Sequence, residues 1–312
     1  MTAHIGLGID AGGTKTRWAL SDENEKIIAE GTAAGMSALQ MATGHGRAHL
    51  RETLAAIARD LPAAAKPARI CAGMTGYSEG SDAIRPFVAN VFGLNVNDVA
   101  LHSDIEIACL DLFAPGEGYV IYAGTGSIAA FIDADSRIHR AGGRGAILDD
   151  GGGGFWIAVE ALRTIWRGED ATPGAWQDSP MAVEMFKRIG GSDWPSTRAF
   201  VYQKERGEIG SLALAVAAAA EHDPIAMDIL RRAGIELARL GNAMIARLGV
   251  RPIALAGRVA QLHPVIAASL RAALPPGIDF TVRTSDAHIA AAHIAARAIS
   301  QNRLPPAGEE TR

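Results

Sequence analysis

The chain has 312 residues, 48% of them hydrophobic, which is enough to bury two ordinary cores and excludes disorder as its ground state. With 30 lysines and arginines against 34 aspartates and glutamates, the net charge of −4 offers no basic footprint for nucleic acid or an anionic membrane. Cys71 and Cys109 are the only cysteines, so a disulfide framework or a four-thiolate zinc site within one chain is excluded, and both are expected to be buried, reduced thiols.

At the N-terminus, Ile5, Leu7 and Ile9 alternate with Gly6 and Gly8, the period of a strand. No basic region followed by an apolar run precedes it, and no window reaches the roughly 18 uninterrupted apolar residues of a membrane helix. The expectation is a soluble, cytoplasmic protein. After a turn at 10–14, strand-like runs at 16–21 and 26–30 complete a tight antiparallel meander. Apolar spacing near 3.6 predicts a helix over 46–60, followed by a buried strand over 68–74, a strand over 99–103 and a helix over 105–113.

The design then repeats about 113 residues on, with strands at 119–123, 127–132 and 137–140 and a glycine turn at 124–126. Two meanders, each broken by a glycine turn after its first strand, predict an internally duplicated fold. From 155 the chain turns helical, with helices at 155–166, 180–189, 211–221 and 224–248. A strand at 252–256, a helix at 263–274, a strand at 279–282 and a helix at 286–300 follow, and the tail from Gln301 should fray.

The glycine turns carry chemistry. In Asp10-Ala11-Gly12-Gly13-Thr14-Lys15-Thr16 the glycines let backbone N–H groups point at an anion, and the hydroxyls of Thr14 and Thr16 add donors. A carboxylate at Asp10, at a strand end, can hold Mg²⁺ through water, because Mg²⁺ keeps part of its hydration shell. An ordinary hairpin turn reads the same way in isolation. The second turn, Gly124-Thr125-Gly126-Ser127, has the same composition and the same placement between apolar strands. An opposed pair of donor turns suits a polyphosphate gripped from both sides. Neither a Walker loop nor a dinucleotide fingerprint is present, since these turns join strand to strand.

On these motifs the sequence resembles the BadF/BadG-type ATPases and N-acetylglucosamine kinases of the actin, hexokinase and heat-shock-chaperone superfamily, over residues 5 to about 300. Residues 10–16 look like its first phosphate motif, 124–127 like its second, and 254–259 like its adenosine motif, in which Gly257 is kept and Arg258 replaces a second glycine. The resemblance implies an α/β, duplicated ribonuclease H-like (actin/hexokinase) fold with two lobes and a central cleft. One lobe would be 1–113 plus a returning helix at about 286–300, the other 114–285, with hinges near 110–118 and 284–288 and a flexible tail at 301–312. It also implies ATP and Mg²⁺ as cofactors and Asp10, Gly12, Gly13, Thr14, Lys15, Gly124, Thr125, Gly126, Ser127 and Gly257 as nucleotide-binding residues. A small-molecule sugar and ATP are the implied partners, without nucleic acid or membrane, and a homodimer is left open.

Phosphoryl transfer needs an aligned hydroxyl, an acceptor for its proton and cations on the phosphates. Asp104 follows an apolar strand and opens a helix, so from spacing alone it is either a helix N-cap or a general base. The resemblance implies the catalytic base, with Glu106 as a local rival. The glycine-rich run 142–154 lacks the polar filler of a linker and leads directly into the aromatic helix start Phe155-Trp156. It resembles the family's sugar-contacting segment, with Asp150 aligned to the family aspartate, while Arg144, Gly151 and Gly153 replace the family's tryptophan, glutamate and serine. Asp149 replaces a glycine there. Ser37, Thr75, Asp104, Gly143 and Asp150 are the implied sugar contacts, whereas Trp18 and Trp156 read as core residues.

The implied activity is ATP-dependent phosphorylation of an amino sugar, N-acetylglucosamine or glucosamine, or of another hexose such as N-acetylmuramate. An iron–sulfur ATPase that activates a dehydratase shares the motifs but needs a cysteine after the second one, and both cysteines here precede Gly124. A sugar-responsive repressor would need a helix-turn-helix before Asp10, where only nine residues stand.

Overall fold

The computed structural model describes residues 5–13, 15–77 and 83–301, so Thr14 and the tail expected to fray beyond Gln301 lie outside the described residues. The described chain divides into two units: the first from Met1–Gly116, Phe131–His139 and Ser285–Arg312, the second from Glu117–Ala130 and Arg140–Thr284.

In the first unit, strands β1 (Gly6–Ala11), β2 (Lys15–Ser21) and β3 (Ile27–Ala34) form the meander, and α1 (Gly44–Asp60), β4 (Arg69–Met74), α2 (Ile84–Phe92), β5 (Val99–His102) and α3 (Asp104–Leu112) follow. The sheet order is β3-β2-β1-β4-β5. β2 runs antiparallel to β1, while β4 and β5 run parallel to it, so Asp10, Gly73 and His102 stand side by side in one row. One face is closed by Leu50, Leu54 and Ile57 of α1, all fully buried against Leu7 and Ile9. Burying each such side chain contributes roughly 1.5–3 kcal/mol.

The second sheet begins with β6 (Tyr119–Ala123), β7 (Ser127–Ile132) and β8 (Ile138–Gly142), the far ends of β7 and β8 grouping with the first unit. The second unit continues with helices α4 (Gly154–Ala171), α5 (Pro180–Ile189), α6 (Trp194–Gln203), α7 (Arg206–Gly210), α8 (Ala213–Ala219) and α9 (Pro224–Leu248). β9 (Ile253–Ala256), α10 (Pro264–Ala273) and β10 (Phe280–Val282) complete it. Its sheet runs β10-β9-β6-β7-β8, with β7 antiparallel and β9 parallel to β6. Taken from the β8 edge this is the strand order of the first sheet, so the fold is a duplicated α/β architecture.

The last helix, α11 (Ala287–Gln301), lies on β1 in the first unit. A side chain at Gly6 or Gly8 would collide with its backbone at Ala296 or Ala292, so the glycines that alternate along β1 are the seat of this helix.

Three helices were not legible in the pattern: α2, α6 and α7. In addition, β3 continues beyond the expected 26–30 to Ala34, because β2 supplies ladder partners as far as Lys15. The helix expected over 211–221 is the shorter α8, since Arg206–Gly210 forms a separate turn ahead of it.

Candidate active site

The first unit gathers its polar residues where the parallel strands end, the edge at which open α/β sheets bind ligands. Asp10 is the last but one residue of β1, Thr75 follows β4, and Asp104 lies just beyond β5. Three of the expected residues are joined by hydrogen bonds. Ser37 Oγ donates to the Thr75 carbonyl at 2.9 Å, and Thr75 Oγ1 donates to Asp104 Oδ2 at 2.7 Å. The Ser37 hydroxyl also accepts from the Leu39 amide as the cap of a short 3₁₀ turn, so it is engaged by backbone on both sides.

Asp104 is not the cap of α3. Ser103 holds that position in a capping box, its hydroxyl accepting from the Glu106 amide while the Glu106 carboxylate accepts from the Ser103 amide at 2.9 Å. Asp104 is the first helical residue, half-buried, with Oδ1 accepting from the Ile105 amide. Glu106, two residues further along the helix, is buried beside His102, whose Nδ1 lies 3.5 Å from its Oε1. That geometry removes Glu106 as a rival for an exposed role.

Asp10 has a partner that the sequence reading missed. Arg17, its cross-strand neighbour in register, reaches Asp10 Oδ2 at 3.0 Å and Asp286 Oδ1 at 3.6 Å. Equal spacing of the two residues from the turn was the available signal. Burial holds the Asp10 carboxyl above its usual range; Arg17 pulls the other way, and the nearby charge of Asp104 adds to the rise.

The first glycine turn is tied down through its carbonyls. Those of Ala11 and Gly12 accept from the Thr75 and Met36 amides at 2.9 and 3.0 Å. Gly13 is exposed, with open space where a Cβ would stand, and Lys15 is exposed at the start of β2.

The second turn repeats this arrangement in the second unit. The Gly124 and Thr125 carbonyls accept from the amides of Gly154 and Phe155, the first residues of α4, both at 2.9 Å. In a trans peptide the N–H lies opposite the C=O. The N–H groups of Thr125 and Gly126 therefore face away from α4, and neither donates to an acceptor among the described residues. Ser127 Oγ donates to the Gly151 carbonyl at 2.6 Å, and the Gly143 amide to the Ser127 carbonyl at 3.0 Å, which locks the 142–154 segment onto the turn. Gly257, at φ +96°, lies so close to Ala123 that a Cβ would strike its carbonyl, so the expected adenosine motif stands beside this turn at the ends of β6 and β9.

Asp150 sits beneath the turn. It is buried and ion-paired with Arg206 of α7. The sequence reading missed Arg206, because a five-residue helix carries no periodicity. Trp18 lies in the first core, and Trp156 is half-buried with Arg232 over its ring. Cys71 and Cys109 are buried and form no disulfide. Among the described residues, no helix is long and apolar enough to cross a membrane, and no group of three or more His, Cys, Asp or Glu side chains is arranged to hold a metal ion.

A duplicated α/β fold with a glycine turn at the corresponding corner of each half defines the class to which this protein belongs. Residues 7–278 match the BadF/BadG/BcrA/BcrD ATPase family, and the chain belongs to it. It is 29% identical over 182 residues to an N-acetyl-D-glucosamine kinase of Dictyostelium discoideum, covering 54% of this chain and 56% of the relative. An N-acetylmuramic acid/N-acetylglucosamine kinase of Clostridium acetobutylicum is 27% identical over 170 residues, covering 53% of this chain and 54% of the relative. The chain thus matches about half the length of each of these relatives. A crystal structure of a candidate N-acetylglucosamine kinase from Chromobacterium violaceum shares the fold at a TM-score of 0.69, with 24% identity, 93% of this chain and 98% of that chain covered.

Proposed function

We propose that this protein is an ATP-dependent kinase for an amino sugar, N-acetylglucosamine or glucosamine. The observation that carries the reading is the disposition of Asp104. Its helix is capped by Ser103, and its carboxylate is held by Thr75 at the ligand-binding edge of the sheet without being consumed by the cap.

In the proposed reaction a sugar hydroxyl attacks the γ-phosphorus of ATP. The new P–O bond forms as the bond to the bridging oxygen breaks, ADP leaves with that electron pair, and the hydroxyl proton passes to Asp104. Gly12, the exposed Gly13, Thr14 and Lys15 of the first unit, and Gly124, Thr125, Gly126 and Ser127 of the second, are the candidate phosphate-binding residues, and Gly257 is the candidate adenosine contact. The unpaired N–H groups of Thr125 and Gly126 support that assignment. Ser37, Thr75, Gly143 and Asp150 are the candidate sugar contacts, and the buried Asp150 would reach a sugar only by sharing its Arg206 partner.

Mg²⁺ bound with ATP would neutralise phosphate charge, and Asp10 would hold it through water. Burial disfavours the Asp10 anion, and a nearby cation relieves that cost, so the residue suits the ion. The names of the two relatives leave N-acetylmuramate as a second substrate to test.

A coupled ADP-release assay with glucosamine, N-acetylglucosamine, glucose and N-acetylmuramate tests the proposal. Amino-sugar-dependent ADP release is expected. Release that no sugar stimulates would overturn it.

A further inference from the structure

We infer that Arg206 is a phosphate-binding residue, its guanidinium held against the second glycine turn by Asp150 so that its remaining donors take a phosphate oxygen of the nucleotide. The inference rests on the kinase reading above and names a cation that reading lacks.

Position is the first argument. A Cβ built on Gly126 would come within 2.7 Å of an Arg206 terminal nitrogen and 2.8 Å of Asp150 Oδ2, so the ion pair lies directly on the turn. The approach is made possible by glycines on every surface involved. Side chains at Gly154 and Gly210 would press on the Gly210 carbonyl at 3.1 Å and the Phe155 amide at 3.2 Å, and without such side chains α7 lies against the turn and the start of α4.

Asymmetry is the second. The Asp150 side chain is 5% exposed and that of Arg206 is 42% exposed, so the acid end of the pair is sealed while the cation end opens to solvent. A guanidinium has five N–H donors in a rigid fork, and Asp150 is the one side-chain acceptor this one meets among the described residues. Its central carbon also lies over the Phe155 ring, 5.7 Å from the ring centroid, within the range of a cation–π contact. The fork is thus preorganised beside Thr125 and Gly126, whose N–H groups are also unclaimed. Arginine in such a setting recognises phosphate by paired hydrogen bonds. The N-terminus of α4 cannot serve instead, since its first amides donate to the turn carbonyls.

The test compares binding of ATP and adenosine, by calorimetry without sugar, across wild type, Arg206→Gln, Arg206→Lys and the double variant Arg206→Gln/Asp150→Asn. The double variant removes the risk that an unpaired buried carboxylate unfolds the site. Wild type should bind ATP more tightly than adenosine. In Arg206→Gln and in the double variant, ATP affinity should fall roughly 10- to 100-fold, as for loss of hydrogen bonds to a charged group, with adenosine affinity unchanged. Arg206→Lys should recover part of the loss. Return of full ATP affinity in the double variant would overturn the inference, since Arg206 would then serve only to neutralise Asp150. Equal losses for ATP and adenosine would overturn it too. Wild type that binds ATP but phosphorylates no sugar defeats the kinase reading alone, and the comparison of ATP with adenosine still decides the role of Arg206.

Discussion

Thr75 donates its hydroxyl proton to Asp104 Oδ2 at 2.7 Å, joining the end of β4 to the start of α3. The bond helps fix the carboxylate rotamer, and with Oδ1 accepting from the Ile105 amide each oxygen keeps a lone pair for a further donor. If Asp104 is the general base, Asp104→Asn should lower turnover at least about 10²-fold with ATP affinity unchanged. Thr75→Val, which removes one positioning bond, should cost about 5- to 10-fold in turnover. Steady-state kinetics with separate ATP titrations would check both, and near-normal turnover in Asp104→Asn would remove it from the reaction.

The fold was legible because it is written in short-range patterns: alternation in β1, glycine after β1 and β6, and 3.6-residue spacing in α1 and α9. The candidate site was half legible. Turn residues announce themselves by composition, and Asp104 by its place after an apolar strand. Partners that arrive from distant elements do not. Arg206 comes from a helix too short to show a period, and the capping role of Ser103 was hidden because Asp104 is an equally good cap by residue type. Two departures from the family pattern have physical causes that only the fold reveals. A side chain at 153 would meet the Gly126 backbone at 2.7 Å, and one at 151 would meet the Glu236 carboxylate at 2.7 Å. Nothing in the structure explains Arg144.

The two turns should respond differently to a methyl group. Gly13→Ala places its Cβ in open space and should change thermal stability little. Gly126→Ala must displace Arg206 or Asp150, and Gly126→Val more so, which should weaken ATP binding along with stability, by roughly 1–3 kcal/mol for an overpacked site. Thermal melts and nucleotide titrations of the three variants would check this. Unchanged ATP affinity in Gly126→Val would count against the second turn as a phosphate site.

Gly151 and Glu236 exclude one another. The Glu236 side chain of α9 crosses Gly151 and is held there by Arg239, which also binds Asp149 Oδ1 at 2.7 Å. Gly151→Glu alone should destabilise the protein by about 1–3 kcal/mol, and Glu236→Ala in the same chain should recover much of that. A double-mutant cycle of denaturation midpoints measures the coupling. Additive effects would mean that the two side chains do not compete for that space.

His102 and Glu106 form a buried pair behind the site, 2% and 6% exposed. Burial works against the charge on His102, but the Cys71 thiol and the Glu106 carboxylate outweigh it and push its pKa up from 6.5 to about 10. Burial also opposes charge on Glu106, yet hydrogen bonds from His102 and Ser103 prevail and bring it down from 4.5 to about 2. The folded state therefore keeps a proton on His102 that the unfolded chain has released above pH 6.5. Stability from that proton is complete below pH 6.5 and is lost as pH rises toward 10, by up to about 1.4 kcal/mol per pH unit. The Glu106 contribution is complete above pH 4.5 and is lost as pH falls through 2. Melting temperatures should accordingly hold level between these limits and fall on the alkaline side. In the double variant His102→Gln/Glu106→Gln the alkaline fall should flatten, whereas Glu106→Gln alone should lower stability at pH 6 by taking away the partner of a buried cation. An alkaline slope identical in wild type and double variant would show that His102 is neutral in the folded protein.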